Sequence, residues 1–347
     1  MTDMFRDRMA ELEDLAGRGI MIAPPHLELT AKMKMTSEFA IISGTANPDL
    51  ARAIADGLHA SPAAATATHF PDGETSVELL EPVRGKTVFI IQPTGPPVND
   101  HLIELLAFAD ACRRASAAHV CAVIPYFGYA RSDKRHGRRQ PITASMIARL
   151  IQAVGIDHVI AIDLHADQIE GFLQIPVDSL SAVSVMCDAL RPRLPRDTVV
   201  VSPDVGRLRM ATDYAERLGV PVVVLHKIRE SGSETHVVHV VGDVRDRSCL
   251  VIDDMISTGG TLADGIRTLL DAGARPPIFI AATHGLLLPG SRVKLAIPAV
   301  ARVFVTDTVK PAESAWPDLE VVSVAPLLAE AITRVVSDGR AAESTIP

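Results

Sequence analysis

The chain has 347 residues, of which 48% are hydrophobic, and its 34 lysines and arginines against 42 aspartates and glutamates give a net charge of −8. This length is typical of about two domains, and this hydrophobic content is enough to bury two cores. The net negative charge argues against a protein that coats nucleic acid. No uncharged apolar run reaches the roughly 18 residues that a membrane-spanning helix needs, so we expect no membrane span.

The first 37 residues differ from the rest of the chain. Apolar residues recur there at helical spacing, with acids on the opposite face, at Phe5, Met9, Leu12 and Ala16. The segment lacks the apolar region of a signal peptide and is too acidic for a transit peptide. We interpret residues 1–37 as an added helix or, because Met33 and Met35 could also begin the chain, as a stretch ahead of a later start.

Strand and helix patterns alternate from Glu38 onward. In the first half, the patterns predict strands at 39–43, 87–92, 120–124 and 158–162, and helices at 48–58, 98–115 and 142–153. In the second half, they predict strands at 198–202, 222–225, 248–253, 278–283 and 303–306, and helices at 181–190, 207–218 and 262–272.

This alternation predicts an α/β fold with two doubly wound parallel-sheet domains. We expect the boundary near residues 176–182, which gives a first domain at 38–180, a second at 181–336 and a tail at 337–347. The four cysteines are far apart and lie mostly in apolar patterns, which is typical of buried thiols in a reducing compartment rather than of disulfides or a zinc site. We therefore expect a cytoplasmic protein.

The stretch from Val251 to Thr261 carries the most specific pattern. An apolar strand ends there in the paired acids Asp253 and Asp254, and a loop of small hydroxyl and glycine residues and then a helix follow. Two carboxylates can accept hydrogen bonds from neighbouring sugar hydroxyls, and glycines let backbone N–H groups face a phosphate. The helix N-terminus adds a favourable dipole for an anion. The pattern indicates a sugar-phosphate site, and the alternative is an ordinary strand–helix connection with surface acids.

Polar residues also follow two other predicted strands. Asp163 and His165 close one strand, and Asp204 closes another. Because ligands of α/β sheets bind at the carboxyl ends of strands, we expect these residues near the paired acids. Asp163 and His165 should point to the same side of an extended chain. Oxygen ligands beside phosphates suit Mg²⁺, although a lone histidine at a strand end is more often structural.

Two further segments concentrate cations. Five basic residues lie close together after one predicted strand, at Arg131, Lys134, Arg135, Arg138 and Arg139. They can donate to phosphate, or they form a solvated basic loop. Lys227 and Arg229 begin a polar stretch that runs to His236 and is typical of a mobile loop able to close over a transferring phosphoryl group, with a charged surface hairpin as the alternative.

An aromatic residue and two acids surround a glycine ahead of another strand, at Phe70, Asp72 and Glu74. This motif could hold a nucleotide base with a ring face and edge acceptors. By itself, it is more typical of a solvated turn.

In this order and at these separations, the motifs resemble those of ribose-phosphate diphosphokinases (phosphoribosyl diphosphate synthetases), from about Phe39 to about Val336. Supporting similarity lies in the runs 99–106, 114–117, 282–285 and 305–308. The loop at 251–261 is equally similar to type I phosphoribosyltransferases, which would share that loop without needing the first half of the chain.

The resemblance implies two domains of the type I phosphoribosyltransferase kind and transfer of the β,γ-diphosphoryl group of ATP to the 1-hydroxyl of ribose 5-phosphate. The products would be AMP and phosphoribosyl diphosphate, for nucleotide biosynthesis. It also implies a homo-oligomer built on dimers, hexamers among them, with the adenine held across a subunit interface. The attack would be in line, without a phosphoenzyme.

The resemblance also assigns roles to individual residues. Ribose 5-phosphate would be held by Asp253, Asp254, Ser257, Thr258, Gly259, Gly260 and Thr261. On the ATP side would lie Phe70, Asp72, Glu74, Arg131 and Asp133. Mg²⁺ would be bound by His165 and Asp204, and the transition state stabilised by Lys227 and Arg229.

Three positions depart from the family pattern. Ser132 replaces the usual glutamine of Arg-Gln-Asp, and Arg207 replaces the second glycine of Ser-Pro-Asp-x-Gly-Gly. The following helix has Arg209 and Met210 where the family places its arginine differently. We expect Arg207 to pair with Asp204 or to alter metal binding. Because the loop cations and metal ligands remain, an active enzyme is favoured over a catalytically weak regulatory subunit, and a base-recognising segment of a phosphoribosyltransferase is not evident.

Overall fold

The first half of the chain folds around a parallel sheet. The computed structural model describes residues 39–135, 137–229, 236–310 and 316–343, so the helix expected at the N-terminus lies outside the described residues. The elements of the first half are β1 (Phe39–Ser43), α1 (Pro48–Gly57), β2 (Ala65–His69), β3 (Thr75–Leu79), β4 (Thr87–Ile91), α2 (Val98–Arg114), β5 (His119–Ile124), α3 (Thr143–Ala153), β6 (His158–Ile162) and β7 (Val177–Leu180). The 5-stranded sheet has the order β1-β4-β5-β6-β7, and β2 and β3 form a separate hairpin.

The second half builds a larger sheet. Its elements are α4 (Val183–Leu190), β8 (Val199–Ser202), α5 (Leu208–Leu218), β9 (Val222–Arg229), β10 (His236–Val241), β11 (Cys249–Ile256), α6 (Gly260–Asp271), β12 (Ile278–Gly285), α7 (Ser291–Leu295), β13 (Val300–Thr306), β14 (Leu319–Val322) and α8 (Ala325–Glu343). The 7-stranded sheet has the order β10-β9-β8-β11-β12-β13-β14, and every pairing is parallel except that of β10 with β9.

The predicted α/β fold with parallel sheets is confirmed. Strands such as β4 and β12 are continuous apolar runs because helices or other layers cover both of their faces. The pairing of β2 with β3 and strands β7, β10 and β14 were not predicted. Strands β2, β7 and β14 are short and only partly buried, so they lack such runs. Helix α8 continues through residues 337–343, where the sequence analysis placed a tail. Among the described residues, every helix is too short or too polar to span a bilayer.

The two sheets share one hydrophobic core. A single cluster of buried residues includes Phe89 and Ile160 from the first sheet and Leu250 and Phe304 from the second. Helix α8, at the end of the chain, packs against α1, near its beginning. The apolar surface buried between the halves therefore holds the two sheets against each other and sets the position of their edges.

Tyr214 of α5 lies in this shared core with its hydroxyl unpaired. The side chain is fully buried, and the hydroxyl has no hydrogen-bond partner among the described residues. A buried polar group without a partner costs free energy, because it has lost its hydrogen bonds to water.

We predict that Tyr214→Phe raises the free energy of unfolding by about 1 kcal/mol, because it removes the unpaired hydroxyl and keeps the ring. Thermal and urea unfolding would measure the change. Tyr214→Ala is the matched control and should cost about 3–5 kcal/mol through the cavity that it leaves. A lower melting temperature for the phenylalanine variant would show that the hydroxyl has a partner, such as an ordered water.

Candidate active site

Several strands from both sheets end around one open cleft. The cleft has a volume of about 800 Å³ and is lined by residues that follow β6, β7 and β8 and by the basic segment after β5. Those that the sequence analysis singled out are Arg131, Asp133, Lys134, Asp163, His165, Asp204, Arg207, Arg209 and Met210. The structure therefore brings together residues from both halves of the chain, as expected for the carboxyl edges of parallel sheets.

The paired acids lie within a strand rather than after one. The predicted strand end at Asp253 is wrong by a few residues, because β11 continues to Ile256 and pairs with β12 along that length. Helix α6 begins at Gly260, directly after the turn formed by Ser257, Thr258 and Gly259. The predicted strand–loop–helix order is present with a shorter loop.

Gly259 shapes the start of that helix. It has φ +74°, in the left-handed region, and a Cβ there would lie 3.0 Å from the side chain of Leu295. Glycine therefore meets both the backbone conformation and the close packing at this position. The first turn of α6 offers backbone N–H groups that have no partner within the helix, which is the usual anion site of a helix N-terminus.

Arg207 contacts the paired acids and His165. Its Nε lies 3.2 Å from Asp254 Oδ1 and 3.6 Å from Asp253 Oδ1. Its Nη1 donates to the backbone oxygen of His165 at 3.0 Å, and Nη2 lies 2.8 Å from His165 Nδ1. The expected pairing of the guanidinium with Asp204 is wrong, since only the backbone N–H of Arg207 meets Asp204, at 3.1 Å from Oδ1.

His165 contacts the other oxygen of Asp254. The distance from His165 Nδ1 to Asp254 Oδ2 is 2.6 Å. The acids also contact each other, because the backbone N–H of Asp254 donates to Asp253 Oδ1 at 2.9 Å. Both carboxylate oxygens of Asp254 therefore have a partner within the protein.

The two acids have opposite pKa shifts. Burial alone would raise the pKa of Asp254, but the hydrogen bond from His165 and the charge of Arg207 lower that pKa to about 2. Burial and the adjacent negative charge of Asp254 raise the pKa of Asp253 well above its ordinary value. The pair titrates as one unit, with Asp254 giving up its proton first.

Asp163 forms a second contact between the sheets. Its Oδ2 accepts hydrogen bonds from Thr283 Oγ1 at 2.5 Å and from the backbone N–H of Ala182 at 3.1 Å. The ring of His284 lies beside its backbone oxygen, with Nε2 at 3.2 Å. Burial raises the pKa of Asp163 and lowers that of His284. This network was missed, although Thr283 and His284 lay in a run similar to the family.

Asp163 and His165 both contact the second sheet. Asp163 is bound by Thr283 of β12, and His165 contacts Asp254 of β11, the neighbouring strand. The chain is not fully extended at Asp163, whose φ is +39°. Both residues line the cleft.

The residues of the basic segment have distinct surroundings. Arg131 is exposed at the cleft, whereas Asp133 is buried and its Oδ2 accepts a hydrogen bond from Gln168 Nε2. Ser132 Oγ donates to Thr143 Oγ1 and accepts from the Thr143 backbone N–H, both at 3.2 Å, at the first residue of α3. Asp133 therefore positions Gln168 at the cleft, and Ser132 binds the start of a helix.

The Phe70 motif forms the exposed turn of the β2–β3 hairpin. The Phe70 side chain is 55% exposed, and the Asp72 carboxylate accepts a hydrogen bond from the Glu74 backbone N–H at 3.1 Å. None of these three residues is among those that line the cleft. Within one protomer, this motif is therefore not part of the cleft lining.

Lys227 and Arg229 are the last residues of a strand. The prediction that a loop begins at Lys227 is wrong. Strand β9 continues to Arg229 and pairs with β10, and Lys227 lies opposite Val238. The sequence analysis missed this extension because the end of the strand is polar. Its residues beyond Val224 pair with β10 and no longer with β8. The connection at residues 230–235 lies outside the described residues.

The residues expected to bind Mg²⁺ fit this role unequally. Asp204 is exposed at the cleft, as suits a metal held largely by water and phosphate oxygens. His165 does not fit this role in this arrangement, because its Nδ1 already contacts the Arg207 guanidinium and the Asp254 carboxylate. Within the described residues, no group of three or more histidine, cysteine, aspartate or glutamate side chains is arranged to hold a metal.

We predict that Asp253→Asn stabilises the protein at pH 7, with a gain that vanishes below about pH 4, where the carboxyl group is protonated in both the folded and the unfolded protein. A raised pKa in the folded protein contributes stability that is complete at low pH and is lost as pH rises through that pKa. The amide does not titrate and avoids this loss. Urea unfolding between pH 4 and pH 8 would measure the difference in stability between the variant and the original protein. Asp188→Asn, at an exposed aspartate, is the control. Parallel stability curves for the variant and the original protein would contradict the prediction.

Comparisons with known proteins agree with this architecture. The family model described as the N-terminal domain of ribose phosphate pyrophosphokinase matches residues 39–155, and the phosphoribosyl transferase domain matches residues 195–294. A ribose-phosphate pyrophosphokinase of Rhodopirellula baltica is 45% identical over 305 residues, which are 87% of this chain and 96% of the relative. The one from Campylobacter jejuni is 42% identical over 297 residues, covering 86% and 96% of the two chains.

A solved structure extends the similarity to three dimensions. The crystal structure of phosphoribosylpyrophosphate synthetase from Mycobacterium smegmatis superposes with a TM-score of 0.82 at 39% sequence identity. The match covers 87% of this chain and 99% of that one. Both halves of the fold and nearly the full length of these relatives are shared, and the chain belongs to the ribose-phosphate pyrophosphokinase family.

Proposed function

We propose that this protein transfers the diphosphoryl group of ATP to the 1-hydroxyl of ribose 5-phosphate, giving 5-phosphoribosyl 1-diphosphate and AMP. The observation that carries the proposal is the β11–α6 segment, with paired acids and a glycine turn, at the edge of a cleft built by both halves of the chain. A base-recognising phosphoribosyltransferase would not account for the first half, which matches the N-terminal domain of the pyrophosphokinases.

The sugar phosphate is bound by the segment from Asp253 to Thr261. The phosphate lies at the N-terminus of α6, where the backbone N–H groups and the dipole attract an anion. The carboxylates of Asp253 and Asp254 accept hydrogen bonds from the 2- and 3-hydroxyls. Ser257, Thr258 and Thr261 add hydroxyl groups, and Gly259 and Gly260 allow the close approach of the phosphate.

ATP occupies the cleft beside Arg131. The exposed guanidinium donates to phosphate oxygens, and Asp133 acts through the hydrogen bond that positions Gln168 at the cleft. We propose Mg²⁺ as the divalent metal that accompanies ATP, with Asp204 facing the bound nucleotide. The ion would neutralise phosphate charge.

Transfer requires positioning and charge stabilisation more than a covalent nucleophile. The 1-hydroxyl of the sugar attacks the β-phosphorus in line, and AMP leaves. Lys227 and Arg229, at the end of β9, stabilise the charge that develops on the transferring group. Their strand lies next to β8, which ends at Ser202, just ahead of Asp204 at the cleft.

The adenine is held by a neighbouring subunit. Phe70, Asp72 and Glu74 lie on an exposed hairpin away from the cleft of their own protomer, so they serve the cleft of a second copy. The protein therefore acts as a homo-oligomer built on dimers, with a hexamer as the assembly to test. Its substrates are metabolites of the cytoplasm, and its four cysteines are free and buried.

A catalytically weak regulatory subunit is the second candidate. The observation that favours it is Arg207, whose guanidinium contacts both acids of the sugar site. Turnover separates the two functions.

The test is incubation of the purified protein with ATP, ribose 5-phosphate and Mg²⁺, followed by quantification of products. Equal amounts of AMP and phosphoribosyl diphosphate are expected. No turnover, with ATP still bound and with phosphate added as an activator, would support the regulatory subunit instead.

We predict that Lys227→Ala lowers kcat by about 10²–10³-fold and leaves the KM for ribose 5-phosphate nearly unchanged, because the cation acts on charge that develops only in the transition state. Steady-state kinetics would measure both constants. Lys294→Ala, which removes an exposed lysine from α7, is the matched control and should be near normal. A near-normal kcat for the Lys227 variant would exclude the assigned role.

We predict that Phe70→Ala raises the KM for ATP by about tenfold, because a stacked base contributes about 1–3 kcal/mol. Co-expressing Phe70→Ala with Lys227→Ala chains should restore activity at low ATP to about a quarter of the original, since half of the mixed dimers' sites combine two intact residues. Activity no greater than that of the separate variants would show that Phe70 and Lys227 serve the same protomer's site.

A further inference from the structure

Arg207 is bound where the sugar has to bind. Its side chain is only 17% exposed, and it reaches the acid pair from the cleft side, where Arg207 itself is one of the lining residues. The acids that it contacts are not among those lining residues. The guanidinium therefore lies at the boundary between the open cleft and the carboxylates that a sugar must reach.

The acid pair has few acceptor positions left for a ligand. Asp254 Oδ1 faces Arg207 Nε at 3.2 Å, and Oδ2 faces His165 Nδ1 at 2.6 Å. Asp253 Oδ1 accepts the Asp254 backbone N–H at 2.9 Å and faces Arg207 Nε at 3.6 Å. A sugar with two neighbouring hydroxyls brings donors to the same oxygens, so the sugar and the guanidinium compete for them.

Arg207 is held in this position from several sides. Its Nη1 donates to the His165 backbone oxygen at 3.0 Å, and its backbone N–H donates to Asp204 Oδ1 at 3.1 Å. A guanidinium held by a nearly buried carboxylate and a backbone oxygen does not leave without cost, because charge-assisted hydrogen bonds are among the stronger ones. Freeing the acids for a sugar therefore requires these contacts of Arg207 to be broken.

We propose that Arg207 is a tethered competitor of the sugar diol, which occupies the Asp253–Asp254 pair in the free protein and lowers the affinity for ribose 5-phosphate. This inference rests on the proposed function, since it takes the acid pair as the diol site. When only a fraction of the protein is competent to bind, the apparent dissociation constant rises by the inverse of that fraction. Residue 207 thereby determines the sugar concentration at which the site fills.

The test is the direct binding of ribose 5-phosphate to the full chain by isothermal titration calorimetry. Arg207→Gly removes the competing side chain at the residue that precedes α5, a position where glycine is tolerated. We expect the dissociation constant to fall by about tenfold, as for a competent state populated at about 10%. Arg196→Gly, the same change in an exposed turn, is the matched control and should leave the affinity unchanged.

A second sugar separates the diol from the phosphate. 2-Deoxyribose 5-phosphate keeps the phosphate and the 3-hydroxyl but lacks the neighbouring hydroxyl pair, so its affinity should rise less than that of ribose 5-phosphate when Arg207 is replaced by glycine. If Arg207→Gly does not fold, Arg207→Gln gives the same comparison, because it removes the charge and keeps a side chain of similar length. The titrations are repeated with α,β-methylene-ATP and Mg²⁺ present, because the sugar could require bound nucleotide before it binds.

The outcomes distinguish the inference from the proposed function. A larger gain in affinity for ribose 5-phosphate than for 2-deoxyribose 5-phosphate supports the competitor role. Equal or weaker binding by the variants overturns it and leaves the proposed function in place. An equal gain for both sugars also overturns it, since Arg207 would then act on the phosphate rather than on the diol. Failure of every form to bind ribose 5-phosphate would overturn the proposed function and the inference together.

Discussion

The carboxylate of Asp254 is almost completely removed from water, and its charge has to be compensated within the protein. His165, which follows β6 of the first sheet, and Arg207, which follows β8 of the second, supply that compensation. Because these partners come from both sheets, the charge cluster ties the two carboxyl edges together around the cleft. The position of the β11–α6 turn relative to the basic segment after β5 depends on this cluster.

A second, less exposed contact supports the same edge. Asp163 accepts hydrogen bonds from Thr283 of β12 and from the chain ahead of α4, while His284 contacts its backbone oxygen. The ring of Tyr126 packs edge-on against His284 at 5.0 Å between ring centroids. Asp163, which has a left-handed backbone, lines the cleft together with His165, so the two contacts between the sheets lie at the same edge.

The site is divided between strand edges and an outlying hairpin. The shared hydrophobic core fixes the sheets, so the strand-end residues occupy defined positions within one protomer. The β2–β3 hairpin packs outside that shared core, against a second apolar cluster of the first sheet, and its turn carries an exposed aromatic ring. An exposed hairpin turn outside the shared core is available for contact with a second copy of the chain.

The sequence by itself determined the parallel α/β architecture, because βα alternation and apolar strands such as TVFII have few other ways to be buried. It also predicted that Arg131, Asp163, His165 and Asp204 would follow strands, and the structure places these four residues around one cleft. Only the tertiary structure decided where Arg207 points, since its spacing suggested Asp204 while the nearest buried charge was that of Asp254. The Asp163–His284 contact, the extension of β9 and the separation of Phe70 from the cleft were likewise tertiary outcomes. They depend on which strands become neighbours, and pairings between residues distant in the chain leave no local pattern.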